Sequence, residues 1–403
     1  MPFLSLSEYR TTRIPRKQLS DEVGMRLYRQ YGKQVQVEPP GLADDAWKLT
    51  NQGWAGYIPL ARDFGLFLEP KISLANLFGM MGYAYQLGEF LDSGLYRSAS
   101  VREFYEQLAY ILARRVLARG RQGFYRAYVP KTEHLPYVRG RLMLRPSSLR
   151  HRSGQALFLP PSSLECHFHE HTSNIEDNQI LAWTLHTIAR SRLLTPRVAP
   201  TIRAACHLLT GAISLTPTGV QTLAGRTYSR LNQDYRGLHA LCRFFLDNSG
   251  PQHLAGDQPT IPFLVDMARL FEMFVAEWLR EHLPDEVSLR VQERLEIGDT
   301  GDLYARVDLV LYERASGRTL AVLDTKYKSP DHPAPEDVFQ AAGYADLKEC
   351  GEAYLVYPAP LQRPLDARVG DVRVRSMVFE LDGQLDQRGT VFLNSLDLGI
   401  SRL

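Results

Sequence analysis

The sequence predicts a multidomain α+β protein. Its 403 residues, of which 44% are hydrophobic, exceed one average domain and can bury substantial cores. Strand-like patterns dominate the first part of the chain, helical patterns dominate the middle, and helices alternate with strands in the last part. Basic residues outnumber acidic ones before residue 260, and acidic residues predominate after it. Because composition changes where the pattern changes, two or three domains are expected.

The first region, residues 1–75, is expected to be a β-rich module. Apolar runs at residues 54–59 and 65–72 are short, and Gly and Pro interrupt them at intervals typical of strands. The region therefore predicts short strands joined by tight turns.

The second region, residues 76–255, is expected to be mainly helical. Apolar residues have helical spacing over 101–119, and a β insertion is expected at 124–144. Ser173 and Glu176 are three residues apart, as in a capping box, and a helical pattern follows them. Further helices are predicted near residues 201–213 and 234–246.

The third region, residues 256–403, is expected to form an α/β domain. A stretch rich in Gly, Pro and polar residues, 247–262, coincides with the change in charge, so the main boundary is placed there. Its predicted elements are a helix at 263–282, strands at 287–297, 303–312 and 319–328, a helix at 337–349 and a strand at 353–357. This order favours a mixed sheet flanked by helices.

The hairpin of the second and third of these strands carries two carboxylates. With the turn centred on Ser316, Asp308 faces Asp324 across the antiparallel strands, with about 5 Å between their Cβ atoms. Like charges in directly opposed positions destabilise a sheet, so something should compensate them. Carboxylate oxygens suit Mg²⁺, and the sequence therefore predicts a divalent cation at this position.

Lys326 lies two residues beyond the second acid, on the same side of its strand. It can orient an attacking water or stabilise negative charge on a phosphate, as metal-assisted phosphodiester hydrolysis requires. A bare D…DxK match more often marks surface charges. Asp324, however, lies in an otherwise apolar strand, where an unpaired charge is costly. Glu272 on the preceding helix, and Gln340 and Tyr344 four residues apart on the following helix, complete the candidate set.

This set resembles the active site of the PD-(D/E)xK nuclease superfamily, particularly its RecB-like branch with a QxxxY helix. Residues 266–275 resemble the helix that opens the nuclease domain of the McrC family, the endonuclease subunits of modified-cytosine restriction systems. Three upstream segments resemble McrC landmarks in the same order along the chain: residues 68–72, 138–142 and 166–185. Val307 stands where the superfamily name implies Pro, a departure that affects strand shape without removing a ligand.

The resemblance implies a role for each site residue. Asp308 and Asp324 would be the metal ligands for Mg²⁺, for which Mn²⁺ can substitute. Lys326 would be the catalytic base or a charge stabiliser. Glu272 would be a further ligand or a water-orienting acid, with a salt-bridged structural acid as the alternative. The last two residues would support the site and contact DNA: Gln340 and Tyr344.

The resemblance also implies a fold, a partner and a function. Residues 256–403 would form a restriction-endonuclease-like domain, and residues 1–75 would dock to a hexameric AAA+ GTPase similar to McrB and stimulate its GTP hydrolysis. The complex would be a type IV restriction system that cleaves modified DNA in defence against phage. Because the sequence has no GxxxxGK[ST] loop, this chain is not expected to bind nucleotide itself. Two alternatives are a non-catalytic adaptor that activates the GTPase and a standalone RecB-like repair nuclease.

Composition excludes several other classes of protein. No window approaches the roughly 18 uncharged apolar residues of a membrane span, and the N-terminus does not resemble a secretory signal. The four cysteines are scattered without a CxxC pair, which argues against a zinc ribbon or a disulfide framework. A cytoplasmic protein is therefore expected.

Overall fold

The computed structural model describes residues 3–41, 44–61, 64–88, 100–143, 164–249, 261–297, 303–328 and 330–397. The chain forms two compact units. The larger comprises residues 1–108, 191–193 and 243–403, and the smaller comprises residues 109–190 and 194–242. The first and third predicted regions thus both contribute to the larger unit. Most of the predicted boundary segment, residues 247–262, lies outside the described residues.

The strands of the described residues are, in chain order, β1 (Phe3–Ser7), β2 (Thr11–Pro15), β3 (Val35–Glu38), β4 (Ala46–Asn51), β5 (Trp54–Ala61), β6 (Phe64–Glu69), β7 (Ala127–Leu135), β8 (Arg141–Leu142), β9 (Leu164–Thr172), β10 (Phe263–Asp266), β11 (Val287–Ile297), β12 (Leu303–Glu313), β13 (Thr319–Thr325), β14 (Glu352–Tyr357), β15 (Asp366–Val369) and β16 (Val372–Val378).

The α-helices are α1 (Asp21–Tyr31), α2 (Leu74–Ala84), α3 (Val101–Gln122), α4 (Glu176–Ala189), α5 (Ala199–Thr210), α6 (Tyr235–Asn248), α7 (Met267–His282), α8 (Pro335–Leu347) and α9 (Leu385–Ser395). Within the described residues, none of these helices is both long enough and apolar enough to cross a membrane.

The N-terminal part of the larger unit contains two sheets that contribute to one apolar core. Their strand orders are β1-β6-β5-β10 and β2-β4-β3. Leu6, Trp47 and Leu66 are each at most 1% exposed and belong to this core. Helix α1, which the strand-like pattern did not predict, buries Leu27 in the same core.

The predicted helix at residues 263–282 begins later than expected. Phe263–Asp266 forms strand β10, which pairs antiparallel with β5 so that Phe263 lies opposite Tyr57. Asp266 is the N-cap of α7, and its carboxylate accepts hydrogen bonds from Ala268 N and Arg269 N at 3.0 and 3.1 Å. The prediction was wrong for these four residues because a short apolar run fits either element, and its strand partner lies far away in sequence.

The C-terminal part of the larger unit is a six-stranded mixed sheet in the order β11-β12-β13-β14-β16-β15. β13 and β14 are parallel, as are β14 and β16, while the other pairs are antiparallel. The buried core of this part includes Val310, Val322 and Leu355 from the sheet and Ala341 from α8. The mixed sheet was predicted, whereas β15, β16 and α9 were not.

The smaller unit contains a three-stranded sheet in the order β7-β9-β8, together with helices that include α4 and α5. The predicted β insertion is therefore present. The predicted capping box is wrong, because the N-cap of α4 is Ile175 and Glu176 is its first residue. Ile175 N donates a 2.9 Å hydrogen bond to Ser173 O, so the chain turns before the helix begins.

Candidate active site

All six predicted site residues line one cleft of about 460 Å³ in the larger unit. Helix α7 carries Glu272, strands β12 and β13 carry the two aspartates, and helix α8 carries the glutamine and tyrosine. The lysine directly follows β13. The full set is Glu272, Asp308, Asp324, Lys326, Gln340 and Tyr344.

The register of the hairpin sets the position of the two aspartates. Leu309 lies opposite Leu323 in the antiparallel pair, which is the predicted register, and one further step along the strands leads to Asp308 and Asp324. A register shift between Leu311 and Tyr312 lies nearer the turn and leaves this end of the hairpin unaffected. Alternation along the apolar strands thus brings two carboxylates to one end of the hairpin.

Asp308 is held by hydrogen bonds to its carboxylate. Its Oδ2 accepts hydrogen bonds from Thr325 N and Thr325 Oγ1, each at 2.9 Å. Its Oδ1 lies 3.4 Å from Gln292 Nε2. Thr325 lies between Asp324 and Lys326 in sequence, and its hydroxyl nevertheless reaches Asp308.

Asp324 is a buried acid with an ammonium group beside it. It is 4% exposed, and its Oδ2 lies 2.6 Å from Lys326 Nζ. Burial is the largest cause that raises the pKa of Asp324 to about 6, Lys326 opposes that rise, and repulsion from Asp308 adds to it. The charged form of this carboxylate is therefore costly in the fold unless a cation accompanies it.

Lys326 has several polar partners. Its Nζ lies 3.5 Å from Asp337 Oδ1 and donates to Gln340 Oε1 at 3.1 Å. Gln340 Nε2 in turn donates to Tyr344 OH at 2.8 Å. Although burial disfavours the ammonium form, Asp324 and Asp337 outweigh it and raise the pKa of Lys326. The lysine is consequently a cation at neutral pH.

Glu272 faces the same cleft from helix α7. Burial raises its pKa to about 7, with repulsion from Asp308 as the next cause. Gln292 Nε2 donates a short hydrogen bond to Glu272 Oε1. Burial thus favours the protonated form of Glu272, and the nearby positive charge of Arg269 opposes it.

The donor set fits a hard divalent cation. Among the described residues, Asp324 Oδ2 is a buried oxygen that accepts no well-directed hydrogen bond, despite its contact with Lys326. Within that part of the chain, no three His, Cys, Asp or Glu side chains converge closely enough to form a closed metal cage. Two carboxylates, with water or phosphate as the other ligands, match the way Mg²⁺ is usually held in proteins.

Sequence reasoning missed three polar residues that hold the site. Asp337 is 7% exposed and contacts both Lys326 and, at 2.5 Å, Lys328 Nζ. Its spacing of three from Gln340 on one helix was a usable signal. Thr325 and Gln292 gave no such signal, because their roles depend on local backbone geometry.

Comparison with known proteins places the chain in a family. The profile described as "McrBC 5-methylcytosine restriction system component" matches residues 49–358. A protein of Escherichia coli (strain K12), named type IV methyl-directed restriction enzyme EcoKMcrBC, is 23% identical over 274 residues, which is 64% of this chain and 74% of that protein.

A solved structure has a similar fold. It is the half-complex from a tetradecameric assembly of Thermococcus gammatolerans McrB AAA+ hexamers with bound McrC. The match has a TM-score of 0.58 and 16% sequence identity, and it covers 98% of this chain and 99% of that one. Because the family profile spans more than half of the sequence, the chain belongs to the family of McrBC 5-methylcytosine restriction system components.

Proposed function

We propose that this chain is the DNA-cleaving subunit of a McrBC-like type IV restriction complex, with a PD-(D/E)xK nuclease domain over residues 256–403. The observation that carries the proposal is the convergence of Asp308, Asp324 and Lys326 with Glu272 and Gln340 in one cleft. Two opposed carboxylates destabilise a sheet. Beside a lysine, however, they can support metal-dependent phosphodiester hydrolysis.

The partner in this proposal is a hexameric AAA+ GTPase similar to McrB. The Escherichia coli relative is named as a restriction enzyme, and the similar solved structure contains McrB AAA+ hexamers with bound McrC. We propose that residues 1–75 dock to such a hexamer and stimulate its GTP hydrolysis, and that the complex cleaves modified DNA in the cytoplasm.

Asp308 and Asp324 would hold the Mg²⁺ ion, and Mn²⁺ can take its place. When bound there, a divalent cation would supply a lowered pKa for an attacking water and would offset negative charge on the phosphate. The hydrogen bonds from Thr325 keep the carboxylate of Asp308 in one orientation, so little ordering is needed when the cation arrives.

Lys326 would act as the charge-stabilising group. Its raised pKa keeps the ammonium protonated, and the bond to Gln340 Oε1 directs it into the cleft. Tyr344 accepts from the amide of Gln340 and so fixes which end of that amide faces the lysine. Glu272, whose pKa is about 7, can accept a proton from water at neutral pH.

Plasmid cleavage tests this proposal. Methylated and unmethylated plasmids are incubated with the full chain alone, and with the chain plus its AAA+ partner, GTP and Mg²⁺. Cleavage should require the complex and the cation. The Asp324→Ala variant should cleave roughly a thousandfold more slowly while stimulating GTP hydrolysis normally.

Each alternative predicts a different result. If the wild-type complex hydrolyses GTP but leaves every plasmid intact with Mg²⁺ or Mn²⁺, the chain is an activating adaptor. If the chain alone cleaves as fast as the complex, it is a standalone nuclease. Full cleavage by Asp324→Ala would show that the proposed active site is wrong.

A further inference from the structure

The pairing between strands β11 and β12 is irregular at Gln292, opposite the proposed metal ligand Asp308. In the β11–β12 ladder, Val291 pairs with Leu309 and Glu293 pairs with Val307, whereas Gln292 and Asp308 between them do not pair. Gln292 has a φ of +52°, in the left-handed region that residues other than glycine seldom occupy. The irregularity is thus confined to the step that faces Asp308.

The side chain of Gln292 connects two acids of the cleft. Its Nε2 donates a short hydrogen bond to Glu272 Oε1 and lies 3.4 Å from Asp308 Oδ1. An amide nitrogen has two hydrogens, so one group can serve both carboxylates. Because the amide is uncharged, it holds them in place without neutralising the charge that a cation would bind.

Packing does not account for this backbone conformation. Gln292 is exposed, so no buried contact of its side chain requires the left-handed turn. The register on either side places Gln292 opposite Asp308, and directly opposed residues share one face of a sheet, so alternation puts its side chain beside that acid. Irregular backbone of this kind tends to persist at functional positions, and here it lies at the residue that contacts both acids.

We propose that Gln292 is a positioning residue that fixes the carboxylate of Asp308 in the geometry needed to hold a divalent cation, and ties the carboxyl of Glu272 beside it. This inference rests on the proposed nuclease function. It predicts that the amide of Gln292 contributes to cation affinity in the free chain, before DNA or a partner is present.

Gln86 provides a matched control. It has a φ of +53°, and its Nε2 donates to Glu277 Oε2 at 2.9 Å. It is therefore another glutamine in the left-handed region that binds a glutamate of helix α7, but its partner is not one of the proposed site acids. Glycine at either position relieves the same backbone strain.

The test compares Gln292→Gly and Gln86→Gly in the full chain. Mn²⁺ binding is measured by titration calorimetry, thermal unfolding is measured without metal, and plasmid cleavage is measured with the partner and GTP. In both variants, the unfolding midpoint should be unchanged or higher by about 2 °C. The Mn²⁺ dissociation constant should rise about 10- to 100-fold in Gln292→Gly alone, and excess Mn²⁺ should restore its cleavage.

A further variant, Gln292→Asn, keeps a residue that tolerates the left-handed region but shortens the reach of the amide. It should fold normally and bind Mn²⁺ as weakly as Gln292→Gly. Wild-type Mn²⁺ affinity in both Gln292 variants would overturn the inference while leaving the nuclease proposal intact. A wild-type chain that neither binds Mn²⁺ nor cleaves DNA in the complex would overturn both.

Discussion

Two regions of the larger unit each bury a carboxyl group, but the contacts of the two carboxyl groups differ. Glu8, next to the N-terminal strand β1, is 1% exposed, and Asp324 in the mixed sheet is 4% exposed. The carboxylate of Glu8 lies 3.4 and 3.5 Å from the hydroxyl of Tyr327, with Lys71 as a nearby positive charge, whereas Oδ2 of Asp324 lies 2.6 Å from the ammonium of Lys326. Burial raises the pKa of Glu8 to about 7 and that of Asp324 to about 6.

The comparison shows that burial dominates in both places. It raises the pKa of Glu8 from 4.5 to about 7 and that of Asp324 from 3.8 to about 6, which are similar rises, and a lysine opposes each rise: Lys71 for Glu8 and Lys326 for Asp324. Glu8 is about half protonated near neutral pH. What distinguishes Asp324 is direct contact, because its carboxylate touches the ammonium of Lys326, whereas the side chain that contacts the carboxyl of Glu8 is the uncharged hydroxyl of Tyr327.

The largest expected effect comes from removing the ammonium group of Lys326. Lys326→Met leaves Asp324 buried without its main compensation, so stability should fall by about 3 kcal/mol. Cleavage should fall by roughly a thousandfold. The stability loss should be smaller at pH 5 than at pH 8, because the uncompensated carboxyl then takes up a proton. Urea unfolding at both pH values and plasmid cleavage measure these effects.

The control for that change is Lys326→Arg, which keeps the positive charge. It should recover most of the stability but little of the cleavage, since a guanidinium differs from an ammonium in shape and hydration. An equal loss of stability in both variants would contradict the role given to charge.

An effect of opposite sign, on stability but not on cleavage, is expected at Glu8. Its pKa of about 7 in the fold exceeds its ordinary value of 4.5, so the wild-type protein loses stability as pH rises through that interval. Glu8→Gln removes this cost and should be more stable than wild type at pH 8, by up to about 3 kcal/mol. At pH 4 the two should be nearly equal. Urea unfolding across this range checks the prediction, and a difference independent of pH would refute it.

The smallest effect is expected at the outer end of the hydrogen-bond chain. Tyr344→Phe removes the oxygen that accepts from Gln340, so the amide is free to turn away from Lys326. One hydrogen bond of about 1 kcal/mol corresponds to a roughly fivefold slower cleavage. Tyr312→Phe is the control, because its hydroxyl binds Glu293 and Lys348 instead. Cleavage rates of the two variants should differ, and equal rates would show that Tyr344 does not act through Gln340.

Much of the site could be predicted because it follows from short-range rules. Alternation within β12 and β13, together with the length of their turn, determines which residues face each other across the hairpin. Spacing of four on a helix likewise brings Gln340 and Tyr344 into contact. These rules depend only on residues close together in the chain.

What could not be predicted depends on distant partners or on unusual backbone. The strand β10 exists because β5, some two hundred residues earlier, offers a free edge to Phe263 and its neighbours. Glutamine is not a residue type that favours a φ of +52°, so the sequence did not predict the left-handed conformation of Gln292. β16 pairs with β14 and with β15, and its alternation of valine and arginine over residues 372–375 was a usable signal that sequence reasoning missed.

The pairing of β10 with β5 also bears on how such proteins can be recombined. The segment that leads into α7 hydrogen-bonds to the N-terminal sheet through Phe263–Asp266. A chimera joined near residue 256 would therefore take β10 from one parent, and its sheet partners β1, β6 and β5 from the other. Exchange of the C-terminal region between relatives should preserve folding only when β5 and β10 are inherited together.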